Sequence, residues 1–480
     1  MDTKTEGDDL QAAALDGARG EFWIDGGPHR AGTVHYRDGE LRVVTEGIAR
    51  PPRYYRFGDG WMDITGDPPD AVADFAPVPL LGTLADGRQV TVVDGRLTPE
   101  LPSESQAFSG KRVLLGVHAP TVATTFTAAR IALPQPGLWR GVLSGAGARE
   151  VRLGERVGSL RAVVDGQVGW LELSFDDGLV EREWERRFWG RVVTLLRLWT
   201  HAALREERVQ LSPGADGGWV DLLYAGVKRS ETTHAWGSLL PPAALSLDAV
   251  ADALTVFDEL APVPDVAVKQ MSHEVTLELA VLANAAALEG LHRGTPGGRL
   301  PFPGLKSARP IAQAAAEAAA ASLAEQGVVP PEDVPAAVVQ LTGAFSYFNQ
   351  PSFRERLEEL LPPVERVAPG LIGSDRDGWI GAVVRARNME AHRFPQKPPE
   401  RARYRQRVDG YYVLATSTEW VLRIALLLRL GVAPELLHAR LLEHNQFEFA
   451  LANMDHAEDP PGSRLDEFRA SRAGGRTSSP

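Results

Sequence analysis

At 480 residues the chain is too long for one ordinary core, so two or three domains are expected, and its 44% hydrophobic content is enough to fold them. The absence of cysteine excludes disulfides, thiolate metal sites and cysteine nucleophiles. A formal charge of −12 argues against a general nucleic-acid coat, because polyanion binding is driven by basic surface. The most apolar helical stretch, 420–432, is short and interrupted by Arg423 and Arg429, so no membrane span is expected. The N-terminus lacks a signal-peptide pattern, and the natural reading is a cytoplasmic protein with no membrane partner.

Residues 1–19 are polar and read as a disordered lead. From Glu21 short strand-like runs alternate with turn signals: Asp38-Gly39, Gly58-Asp59-Gly60, Asp86-Gly87, Asp94-Gly95, Asp165-Gly166 and Asp176-Asp177-Gly178. The spacing predicts a β-rich region over 20–240, a sandwich or open barrel. Its aromatics Trp23, Tyr36, Tyr54, Tyr55, Trp61 and Trp139 could stack on a ligand or fill the core. Within it, 179–204 carries Trp184, Phe188, Val192, Leu195, Leu196 and Trp199 on one helical stripe.

Ser246, with Asp248 in the first turn, opens a helical region that runs to about 455. Helices are predicted over 246–260, 272–292, 309–326, 334–349, 352–360, 379–392, 404–430 and 434–450. Residues 457–480 are polar and read as an unfolded tail. The fold class is therefore α+β multidomain: a β-rich sandwich- or barrel-like region followed by an all-α bundle.

One stretch concentrates reactive groups: Val383 to Phe394, which contains Arg387, Asn388 and His392. The chain has only five asparagines, so an Arg-Asn pair followed four residues later by His is more specific than Arg and His alone. On an ideal helix Arg385, Asn388 and His392 share a stripe, whereas Arg387 is turned about 140° from His392. A distorted helix end before Pro395, a long side-chain reach or a second copy of the motif would bring the pair together. The last turn of a helix also favours a protonated imidazole.

These residue types suit RNA transesterification without a metal. A histidine takes the proton of the ribose 2′-hydroxyl, a guanidinium holds the phosphate in two-point contact, and an asparagine orients either group. The plainer alternative is a histidine capping helix carbonyls beside surface arginines. Between 385 and 407 eight basic residues face two acidic ones, which points to a confined anionic substrate. Arg385, Arg393, Arg401, Arg403, Arg405 and Arg407 are the candidate backbone contacts and Tyr404 the candidate stacking platform. Glu289 and His292 have helical spacing but lack a second pair of ligands, and no metal or cofactor is expected.

Arg387-Asn388-x-x-x-His392 in a C-terminal helical bundle resembles the Arg-x₄₋₆-His motif of HEPN-domain ribonucleases, and the layout is similar to ApeA-type HEPN proteins of bacterial anti-phage defence. Gly20-Glu21-Phe22-Trp23 with Gly32-Thr33-Val34 resembles that family's opening strands, and Leu282 to Arg293 its first bundle helix. The resemblance implies catalytic Arg387 and His392 with Asn388 as the polar second position. It also implies a homodimer or higher homo-oligomer, cellular RNA or tRNA as substrate, a phage trigger and abortive infection as the outcome. Two other classes stay open: a non-catalytic HEPN module for dimerisation or binding, and a ligand sensor working through the β-rich region.

Overall fold

The computed structural model describes residues 15–37, 40–47, 56–58, 61–63, 77–98, 105–132, 140–145, 147–201, 208–214, 218–224, 238–241, 244–269, 275–294, 309–345, 350–391, 401–457 and 463–474. The chain divides into two compact units, 1–259 and 260–480.

The first unit is built on β1 (Arg19–Ile24), β2 (Arg30–Arg37), β3 (Glu40–Glu46), β4 (Arg56–Gly58), β5 (Trp61–Asp63), β6 (Val78–Leu84), β7 (Gln89–Thr98), β8 (Ser105–Gly110), β9 (Arg112–Leu115), β10 (Thr125–Ala132), β11 (Ala148–Leu153), β12 (Arg156–Asp165), β13 (Val168–Val180), β14 (Arg208–Ser212) and β15 (Val220–Tyr224). Strands β7, β6, β1, β2, β3 and β8 are hydrogen-bonded in that order, and β8 returns to β7 to close a barrel. The sheet then continues through β9, β15, β14, β10, β13 and β12 to β11. Strand β7 makes the branch: its C-terminal half pairs with β8 and its N-terminal half with β9. Closure removes the edges an open sheet would expose.

Turn chemistry explains some of this and misleads elsewhere. Gly87 (φ 86°) and Gly166 (φ 63°) sit in the β6–β7 and β12–β13 hairpins, where a left-handed residue is needed. The predicted Asp38-Gly39 turn and Asp59-Gly60 lie outside the described residues, although Arg37 and Glu40 on either side of the former are paired. Asp94-Gly95 is not a turn; it lies within β7. There the Asp94 carboxylate accepts the Lys111 and Arg112 N–H groups (2.9 and 3.2 Å) where β8 steps to β9. Asp176-Asp177-Gly178 likewise lies inside β13, which is irregular opposite β10 between Phe126 and Ala128.

The barrel interior holds Phe22, Val34, Val43, Leu80, Val92 and Phe108, all buried, and Leu15 joins them, so the lead is anchored before residue 19. Of the aromatics weighed as ligand platforms, Trp23 is half-buried and stacks on His29 (4.0 Å), and Tyr36 donates to the Tyr224 carbonyl (3.4 Å). Tyr54, Tyr55, Trp139 and the side chain of Trp61 lie outside the described residues. Packing around Phe22 is tight: a Cβ on Gly82 would stand 2.5 Å from its ring. Gly82→Ala is expected to cost about 1–3 kcal/mol by overpacking. Urea unfolding would show it as a lower midpoint at unchanged slope.

The predicted helix at 179–204 is observed as Glu181–Trp184, a π-helical turn Glu185–Trp189 and Gly190–Thr200. Its whole predicted stripe is buried, and Trp184 Nε1 donates to the Phe126 carbonyl (2.8 Å). At its first turn Glu181 accepts from Arg112 (2.5 Å) in a buried pair, and burial pushes the Glu181 carboxyl up.

After α1 (Leu247–Leu260) the second unit is helical: α2 (Val263–Lys269), α3 (Leu277–Arg293), α4 (Arg309–Glu325), α5 (Val334–Phe345), α6 (Phe353–Val367), α7 (Arg376–Ala391), α8 (Arg401–Arg429), α9 (Pro434–Leu441), α10 (Asn445–Ala457) and α11 (Arg464–Gly474). The long helix α8 packs against α3, α6 and α10, and α7 packs against α3 and α6. Asn284 ties α3 to α8 through Thr418 Oγ1 (3.2 Å), and Trp379 ties α7 to α8 through Ser417 Oγ (2.9 Å). The α+β organisation is as expected, with a closed barrel as the β part.

Three helical expectations need correction. The window Gln406–Arg429 in α8 has the length and mean hydropathy (1.2) to cross a membrane, yet 72% of it is buried in the bundle. Arg423, expected to break the apolar run, is buried there, with its Nε on the Ala267 carbonyl (3.2 Å) and Nη2 on Glu419 (2.5 Å). Helix α6 does not stop near Leu360 but runs through Pro362 and Pro363. The carbonyl that Pro362 leaves without its helical N–H belongs to Glu358, and Arg376 Nη2 donates to it at 2.8 Å. Finally, part of the predicted tail forms α11, because Phe468 is fully buried against Phe447 (4.9 Å) and His438 (5.8 Å).

Candidate active site

Helix α7 carries Arg387 and Asn388 of the motif. Asp375 caps its start by accepting the Gly378 N–H (2.8 Å), and its carboxylate occupies the space that a Cβ on Gly378 would take. Trp379, Ile380, Val383 and Ala386 form the buried face, which fixes the helix rotation. Arg387 is one residue past Ala386 and therefore emerges at the rim, with 36% of its side chain exposed.

The Arg387 guanidinium is held from three sides. Its Nη2 donates to Glu289 Oε2 on α3 (3.3 Å), its Nη1 donates to Asn388 Oδ1 (3.1 Å), and its carbon lies 5.9 Å from the Phe353 ring centre at the start of α6. Glu289 also accepts from Arg293 (2.7 Å), so one carboxylate bridges two permanent cations. A guanidinium has five N–H donors, and these contacts leave others directed to solvent. Asn388 is exposed and in contact with Arg387.

Beside this bridge His292 is buried and fully engaged. Its Nε2 is 2.7 Å from Glu359 Oε2 and its Nδ1 is 3.3 Å from Arg356 Nη1. Arginine only donates, so Nδ1 accepts and the ring proton on Nε2 points to Glu359. This histidine locks α3 to α6 and is not placed to serve as a base. The i, i+3 pair Glu289 and His292 thus has two separate tasks, neither of them metal binding. Burial and the nearby Arg293 lower the proton affinity of Arg356.

The remaining sequence-predicted residues divide sharply. His392 and Arg393 lie outside the described residues, as do the side chains of Arg401, Arg403, Tyr404 and Arg405. Arg385 is exposed on α7. Arg407 is committed elsewhere: it pairs with Glu390 (3.4 Å) and lies over the Tyr411 ring (5.4 Å). The Tyr411 hydroxyl donates to the same Glu390 (2.6 Å), and burial, with that carboxylate, pushes the phenol up to about 12. Arg407 is therefore a structural partner of α7 rather than an open phosphate contact. Two residues escaped the sequence reading, Glu289 as the anchor of Arg387 and Arg354 on α6; neither is near the motif in sequence.

A hollow of about 600 Å³ lies between α7 and α8 and is lined by Trp379, Ala382, Met389, Tyr411 and Leu414. Arg387 is not part of it, since it leaves the opposite side of α7 toward α3 and α6. Arg387 thus lies on a partly exposed rim rather than in this hollow.

Comparison with known families decides what kind of bundle this is: residues 282–436 match the family model described as Apea-like HEPN. The chain carries an ApeA-type HEPN domain. The match begins in α3 and ends at the start of α9, so it contains Glu289, the α6–α7 pair and the whole motif. No curated protein and no solved structure matches the chain significantly. Membership of this domain family supports a HEPN nuclease-type role in defence.

Proposed function

We propose that this chain is a HEPN endoribonuclease of anti-phage defence that cuts cellular RNA or tRNA and arrests growth after infection. His392 removes the proton of a ribose 2′-hydroxyl, and the 2′-oxygen attacks the adjacent phosphorus. The bond to the 5′-oxygen breaks, leaving a 2′,3′-cyclic phosphate and a 5′-hydroxyl that regains the proton. Arg387 binds the scissile phosphate and stabilises its added negative charge, and no metal takes part in these steps. A homodimer would supply two motifs to one cleft and overcome the angular offset of Arg387 from His392. The observation that carries this reading is the partly exposed Arg387, oriented by Asn388 and Glu289 in an ApeA-type HEPN domain.

The same Arg387–Glu289 pair supports a second reading, in which the domain only binds or dimerises and the arginine is a helix–helix tie. Expression of wild type and His392→Ala in a phage-challenged host separates the two. The nuclease reading expects protection and RNA breakdown from the wild type alone. Equal protection and equal RNA integrity would remove it.

A further inference from the structure

A second cation stands beside the motif on a different helix. A Cβ built on Gly381 of α7 would lie 3.2 Å from Arg385 Nη1 and 3.4 Å from Arg354 Nη2. Two guanidinium groups, one from α7 and one from α6, thus converge over a residue without a side chain. Among the described residues Arg385 has no hydrogen-bond or ion-pair partner. Among the described residues Arg354 has only Glu358, at 3.6 Å and with both side chains nearly half exposed, a contact of little strength. Like charges gathered with only one weakly held, exposed carboxylate nearby favour an anion between them. An N–H···O contact spans about 2.9 Å, so two donors this close to one point can share the oxygens of a single phosphate. The N–H groups of α6 are not the attraction here, because Ser352 and Glu355 close a capping box on them.

We infer that Arg354 and Arg385 form one phosphate subsite over Gly381 that holds an RNA strand next to the phosphate bound by Arg387. The adjacent residue Phe353 faces Arg387 while Arg354 faces Arg385, so the start of α6 separates the two phosphate positions. Gly381 is the floor of the subsite: its missing side chain leaves the space in which both guanidinium ends meet. The inference rests on the nuclease reading only for the identity of the anion as RNA.

The test uses full-length protein carrying His392→Ala, so that binding is read without cleavage, and a single-stranded RNA oligonucleotide as probe. Arg354→Gln and Arg385→Gln are each expected to weaken binding about tenfold at low salt. Because both hold one phosphate, the double variant should be no more than about twofold weaker than the worse single. The salt dependence should fall by about 0.7 in slope, the contribution of one phosphate on a single strand. Gly381→Ala retains both charges and favours the helix, yet should weaken binding about threefold by pushing the guanidinium ends apart. Arg366→Gln, on the exposed side of α6, serves as the control and should bind as its parent does.

Arg354→Gln indistinguishable from Arg366→Gln, two single losses that multiply in the double variant, or no RNA binding at all would each overturn the subsite. Normal binding by Arg354→Gln, with cleavage by the wild type intact, removes the subsite and leaves the nuclease reading standing. Coupled losses of binding with no cleavage by the wild type do the reverse.

Discussion

Arg387→Ala is expected to lower the rate of RNA cleavage by about 10²–10³-fold, the usual effect of removing one charged donor from a developing oxyanion. The fold should survive, because Glu289 retains Arg293 at 2.7 Å and Arg387 lies at the partly exposed rim rather than in the core. Arg387→Lys should recover only part of the loss: an ammonium retains the charge but cannot make the paired planar contact with phosphate while also reaching Glu289 and Asn388. Glu289→Gln should leave the charge of Arg387 intact and loosen its position, so its effect is smaller and falls mainly on the rate rather than on RNA affinity. Cleavage of a labelled RNA under single-turnover conditions separates these terms. Wild-type rates in Arg387→Ala would make the arginine a helix tie and would end the catalytic assignment.

The second large effect is on stability in acid. His444 caps α10 by accepting the Phe447 N–H at Nδ1 (3.3 Å), and its ring meets Trp420 edge-on at 6.0 Å. Burial, with the nearby guanidiniums of Arg423 and Arg440, lowers its pKa from 6.5 to about 4. The folded state therefore binds fewer protons than the unfolded state between those two values, and stability falls as pH drops through that window. The loss is complete below about pH 4 and amounts to up to about 3 kcal/mol. His444→Asn keeps an acceptor for the Phe447 N–H but cannot titrate, so its stability should be nearly flat over the same range. Urea midpoints for the helical unit at pH 7, 5.5 and 4 provide the comparison. Equal acid sensitivity in wild type and variant would assign the loss to other groups.

Sequence alone determined the elements whose cause is local. The stripe from Trp184 to Trp199, the glycines at 87 and 166, and the apolar face of α7 are set by periodicity and turn chemistry within a few residues. The motif Arg387-Asn388-x-x-x-His392 was legible for the same reason, and its Arg387 and Asn388 lie on α7. Where local signals failed, a distant contact outweighed them. Asp94-Gly95 became strand because Asp94 binds the backbone of Lys111 and Arg112, α6 passed Pro362 with Arg376 donating to the freed Glu358 carbonyl, and α11 formed because Phe468 had a pocket to fill.

Tertiary structure alone decided how the cations of this stretch are partnered. Arg385, Arg387 and Arg407 look equivalent in a basic stretch. Yet Arg407 is neutralised by Glu390, Arg387 is oriented by Glu289 from 98 residues away, and Arg385 meets Arg354 from another helix. The strength of a charge depends on its neighbours in space, and chain closure between remote helices creates those neighbours. Barrel closure is of the same kind, since the return of β8 to β7 joins segments whose individual patterns also suit an open sheet.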